Sequence, residues 1–176
     1  MTDPKRPIDP AAHRDRRNLV ESVLNWIPGF HGYLQKEYRR ESDYLARTWL
    51  ADRLQRAKRP LDEYLHTLVA DGRLDDLPQF ERLRTRLDGL ISKLRGDVRG
   101  YSGFFDYVRV DEEKLDDVYE LDMSLIEDAE AIGTSVEKLS ANEQSPSSAA
   151  ADLLRQTDQL EQRYARRGEL LKGLSE

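Results

Sequence analysis

Few residues in this chain have the types and spacing that chemistry needs. Glu63 and His66, in "EYLH", stand three apart and would share one helical face, which is half of the carboxylate and histidine pattern that holds paired metal ions in helical proteins. Glu120, Glu127 and Glu130 are the carboxylates that could complete such a set, so Glu63 and His66 are the candidate metal ligands. Positions three before His13 and His31 hold Pro10 and Pro28, and neither histidine repeats the pattern.

A second kind of site is built from aromatics. "WIPGFHGY" and "GYSGFFDY" set bulky rings beside glycines that let backbones approach closely, and they hold three of the chain's four phenylalanines. Such segments either pack together as a corner or leave an apolar patch for a partner. Trp26, Phe30, Tyr33, Tyr101, Phe104 and Phe105, with the nearby Arg39 and Arg40, are the partner-binding candidates. A basic aromatic patch of this kind also suits an anionic membrane interface, as an interfacial anchor.

The third chemical singularity is Asp122. Leu115, Val118, Asp122, Leu125, Ala129, Ile132, Val136 and Leu139 follow the three-four spacing of a helix seam, and Asp122 is the one charge among them. A buried carboxylate needs a partner, and one polar seam residue is a common way to fix register. An arginine from residues 30–59 or from the helix after "DDLP" is the expected mate.

The rest of the inventory argues against catalysis. There is no cysteine, and no GxGxxG, GxxxxGK, GxSxG or HExxH occurs. No cofactor is implied. Arginines alternate with acids, no nucleic-acid-reading motif is present, and the sequence pI is about 5.2, so nucleic acid is not an expected partner.

The elements that must position these residues are helices. Leucine dominates the apolar positions and period-2 alternation is absent, which gives an all-α fold class. Asp9-Pro10 predicts a helix start, with Leu19, Val23, Trp26 and Ile27 on one face up to Pro28-Gly29. A long helix follows from near Phe30 to Arg59, carrying Leu34, Tyr38, Leu45 and Trp49, with Leu50 and Leu54 on the neighbouring row. Its ladder Arg39, Asp43, Arg47 reads as a solvated surface held by its own ion pairs.

Pro60 predicts a break there, after which Leu61, Tyr64, Leu65 and Leu68 form a short third helix closed by Gly72. Phe80, Leu83, Leu87, Leu90 and Leu94 give a further helix a clean seam. The Asp122 helix follows, then a polar linker near 140–149, then a last helix with Leu153, Leu154, Leu160, Tyr164, Leu171 and Leu174. The expected architecture is an antiparallel bundle of five to six helices with one long central helix pair, in a single domain over residues 10–176 behind a flexible arm at 1–9.

Charge is uneven along the chain. Residues 1–60 carry 13 Lys/Arg against 8 Asp/Glu, whereas residues 111–145 carry 2 against 12. The basic first third and the acidic helix could pair within one chain or between copies, so self-association is an expectation beside a protein partner. No apolar run reaches the length of a membrane span, and the N-terminus has no apolar signal region, which suggests a cytoplasmic protein. The expected function is a non-enzymatic interaction or scaffold protein. The alternatives are a peripheral membrane protein using the same aromatic corner and a carboxylate and histidine metal-binding protein.

Overall fold

A computed structural model describes residues 36–97 and 112–173. Four α-helices account for nearly all of these residues: α1 Lys36–Ala70, α2 Leu77–Gly96, α3 Glu112–Glu137 and α4 Pro146–Gly173. Short 3-10 turns at Leu74–Asp76 and Leu139–Ala141 precede α2 and follow α3, and no strand occurs among the described residues. The predicted helix over 10–27 lies outside them.

The helix count falls below five to six partly because Pro60 breaks nothing. It sits inside α1, which runs unbroken for 35 residues, about 52 Å. An interior proline removes one backbone hydrogen bond and costs about 3 kcal/mol. The apolar row outweighs it: Leu50, Leu54, Ala57, Leu61, Leu65 and Leu68 keep three-four spacing across the proline, and all six are buried. Helix α1 ends where sequence places its cap. Gly72 has φ +71°, the Gly72 amide donates to the Val69 carbonyl, and the Arg73 amide donates to the Leu68 carbonyl, which satisfies the last carbonyls of the helix.

Ion pairs read out how the helices run. Across α1 and α2, Asp52 meets Arg95, Lys58 meets Asp88 and Asp62 meets Arg84, so the two are antiparallel. Across α3 and α4, Asp122 meets Arg167 and Asp128 meets Arg163, again antiparallel. Arg86 of α2 binds Asp158 and Glu161 of α4, and Lys93 lies over the Tyr164 ring, so α2 and α4 are parallel neighbours. Helices α1 and α3, which touch through Arg53 with Glu130 and Glu137, are the other parallel pair.

The expectation of antiparallel neighbours therefore holds for α1 with α2 and α3 with α4 only. The helices close a ring in the order α1, α2, α4, α3. Helices α2 and α3, consecutive in sequence, stand opposite one another in this order. Short connections enforce antiparallel contact, whereas one of this length does not.

One apolar core fills the ring. Leu54, Leu61, Phe80, Leu83, Leu87, Leu125, Ile126, Ile132 and Leu153 are sealed from solvent. The Tyr64 and Phe80 rings meet edge to face at 5.1 Å. The whole α2 seam, Phe80, Leu83, Leu87, Leu90 and Leu94, is buried as its spacing predicts. In α1 the buried row is the one of Leu50 and Leu54, while Leu45 and Trp49 pack at its margin. The polar linker is shorter than expected, since α4 begins at Pro146.

Candidate functional site

The strongest concentration of buried polar groups lies at one end of the ring, where α1 and α3 begin and α2 and α4 end. Arg47 enters from α1, Lys93 and Asp97 from the end of α2, Asp122 from α3, and Tyr164 and Arg167 from α4. Arg47, Asp122, Tyr164 and Arg167 are all buried, each with under a tenth of its surface exposed.

Each is held by a partner from another helix. The Arg167 guanidinium grips the Asp122 carboxylate with two donors, Nε to Oδ1 and Nη2 to Oδ2, the second at 3.2 Å. Asp122 thus has an arginine of the kind its seam position requires, and this one comes from α4. The ring order allows it, since α4 flanks α3 and α2 does not.

The Arg47 Nη1 donates to the Leu94 carbonyl at 3.4 Å. That carbonyl belongs to the last turn of α2, where helix acceptors lose their intrahelical donors, so Arg47 caps α2 from a neighbouring helix. This corrects the reading of the Arg39, Asp43, Arg47 ladder as a solvated surface at Arg47, whose long aliphatic stem and fixed fork serve a buried contact.

The Tyr164 hydroxyl donates to Asp97 Oδ2 at 2.8 Å, and the Lys93 ammonium stands 5.6 Å from the Tyr164 ring centre. Burial first, and the Asp97 hydrogen bond second, push the Tyr164 phenol far above its ordinary value. The phenol stays protonated through neutral pH. The end is thus built to hold charge and hydrogen bonds in place.

A second charged contact, from the buried Arg53 to two partly exposed glutamates, fixes α1 on α3. Arg53 donates from Nε and Nη2 to Glu130 at 2.6 and 3.1 Å, and from Nη1 to Glu137 at 2.9 Å. Thr134 adds a donor to Glu130 at 3.3 Å. Gly133 makes room for it: a Cβ there would fall inside the Arg53 guanidinium. The Arg53 hydrogen bond holds the Glu130 carboxyl below its ordinary value despite partial burial. The acidic helix and the basic first third are thereby paired within one chain at this point.

Sequence reasoning passed over Arg53, Gly133 and Arg167, took Arg47 as solvated and placed Tyr164 only in the apolar row of the last helix. The one legible signal was Gly133, an isolated glycine inside a helical pattern, which commonly has a packing reason.

The sequence candidates fall as follows. Trp26, Phe30, Tyr33, Tyr101, Phe104 and Phe105 lie outside the described residues. Arg39 and Arg40 belong to the first turns of α1. Glu63 and His66 share the exposed side of α1, where Glu63 binds Arg59 at 3.0 Å. They are not joined by Glu130, which Arg53 occupies. Among the described residues no three histidine or carboxylate side chains converge as a metal would require, and none of the described helices is long and apolar enough to cross a membrane.

No family model, curated protein or solved structure matches the chain. Its function is therefore argued from its own residues.

Proposed function

We propose that this chain is a cytoplasmic, non-enzymatic helical-bundle protein that binds a protein partner through its two aromatic and glycine-rich segments, with Arg39 and Arg40 beside them. One observation carries the reading. The segment of Trp26, Phe30 and Tyr33 leads into α1 at Lys36, and the segment of Tyr101, Phe104 and Phe105 joins the end of α2 to the start of α3. All three of these helix termini lie at the polar end.

Two segments some seventy residues apart in sequence are thus attached to a common end. Near it the buried Asp122–Arg167 pair ties α3 to α4, the Tyr164–Asp97 bond ties α4 to the end of α2, and Arg47 ties α1 to the last turn of α2. A rigid platform lowers the ordering cost of any surface mounted on it. Aromatic rings flanked by arginines are the residue types that anchor protein interfaces.

The test is capture from native lysate with wild type and a Phe30→Asp/Phe105→Asp variant of verified helicity, alongside sedimentation with anionic liposomes at low salt. The reading predicts a protein partner that wild type retains and the variant loses. Retention of the same partners by both would overturn it. Sedimentation with liposomes by wild type alone would instead favour the membrane anchor.

A further inference from the structure

We propose a second docking surface at the opposite end of the molecule, on the α1–α2 turn, that accepts a basic amphipathic helix from a partner protein. Among the described residues three large apolar side chains are exposed, Tyr44, Val69 and Leu74, and two of them lie at this turn, Val69 at 53% and Leu74 at 59%. Beside Val69 a groove of about 290 Å³ opens between α1 and α2, with Leu65, Val69 and Leu77 as its apolar floor. Asp62, His66, Glu81 and Arg84 form its rim.

Charge complementarity names the occupant. The groove and the turn it opens onto carry Asp62, Asp71, Asp75, Asp76 and Glu81 against Arg73 and Arg84. Arg73 is engaged by Asp76 at 3.0 Å, and Arg84 by Asp62 at 3.2 Å. Asp71 and Asp75 remain exposed on the turn. The field over the apolar floor is therefore acidic, and it attracts lysine and arginine and repels acids.

The shape selects a helix. The channel between two antiparallel helices accepts the ridge of a third, with apolar residues at three-four spacing against Leu65, Val69 and Leu77. A second copy of this chain fits less well, because the same turn on a partner would bring acid against acid. Val69 lies about nine helical turns from the start of α1, so the surface goes beyond the function proposed above and stands or falls separately.

The probe is a synthetic 16-residue amphipathic helix with leucine at three-four spacing and lysine elsewhere, titrated against the full-length protein by fluorescence anisotropy. Three proteins are compared: wild type, Val69→Asp and Asp71→Asn/Asp75→Asn. These sites are exposed, and equal melting curves verify the fold. Micromolar binding is expected, weakened about tenfold by Val69→Asp although that change adds negative charge, and severalfold by the asparagine pair. No binding by wild type would overturn the proposal, as would equal or tighter binding by Val69→Asp, the mark of unspecific charge attraction. A concentration-dependent dimer of wild type that Val69→Asp abolishes would overturn it in favour of self-association.

Discussion

The two halves of the helix ring are built on different principles. Between Leu54 and Leu68 on α1, and along Phe80 to Leu87 on α2, the buried residues are leucine, alanine, phenylalanine and Tyr64, with no charge among them. At the other end the interior holds Arg47, Asp122, Tyr164 and Arg167, each tied to a helix other than its own. Apolar burial is non-directional and would serve several orders of helices around the ring almost equally. A bidentate arginine and carboxylate pair serves one order alone, because a wrong neighbour leaves a charge buried and alone. The contrast teaches that the leucine half supplies the stability and the polar end selects the arrangement.

The comparison breaks most readily at Asp122. Asp122→Ala takes the two-oxygen acceptor from the Arg167 guanidinium, whose side chain is 3% exposed, and should cost about 3–5 kcal/mol in urea unfolding. Leu87→Ala, in the other half, should cost about 2–4 kcal/mol by lost transfer energy and cavity formation. Their character differs as well. Leu87→Ala should leave the near-UV circular dichroism of the folded state intact, whereas Asp122→Ala should weaken it, since Tyr164 belongs to the affected end.

Gly133→Ala sharpens the comparison. In an open helix this change would stabilise by about 1 kcal/mol. Here the new methyl displaces a guanidinium held by Glu130 and Glu137, and a net loss of about 1–3 kcal/mol is expected. Restoration by the added change Arg53→Met, read from the same unfolding curves, would trace the effect to that contact. Tyr164→Phe should cost about 1–2 kcal/mol by removing the donor to Asp97, and a stability unchanged within error would show that bond to be idle.

The smallest effect is on pH dependence. The folded pKa of Glu130 is lowered, first through the Arg53 hydrogen bond, so its contribution to stability is present above the ordinary glutamate value and is lost as pH falls through that range. Asp128 works the other way. Burial, set against the Arg163 contact, raises its folded pKa, so its contribution is present at low pH and is lost as pH rises through the carboxylate range. Stability measured from pH 7 down to about pH 3 should therefore fall less steeply in Arg53→Met than in wild type. Parallel curves would show that Glu130 draws nothing from Arg53.

Much of the helix content was legible because leucine spacing reports the core directly. The α2 seam and the Gly72 cap are where the residues place them, and the need of Asp122 for an arginine follows from its seam position. Pro60 misled because the proline rule is local, while the row Leu54, Ala57, Leu61 that overrides it is a tertiary effect. Arg47 looked solvated since nothing along its own helix shows the Leu94 carbonyl that it reaches. That Arg167 meets Asp122 depends on which helices are neighbours, and the periodicity of one helix does not report that. Sites assembled from four helices leave no contiguous motif to find.

The most direct test of the central claim is a double-mutant cycle on Asp122 and Arg167, with Asp122→Ala, Arg167→Ala and the apolar pair Asp122→Leu/Arg167→Met compared by urea unfolding and by the lifetime of amide hydrogens at the polar end. If the pair selects the arrangement, each single variant loses about 3–5 kcal/mol, while the apolar pair stays within about 1 kcal/mol of wild type or exceeds it and yet exchanges its amides faster at that end. An apolar pair as stable as wild type and equally protected there would contradict the claim, leaving leucine periodicity as the sole determinant of the ring.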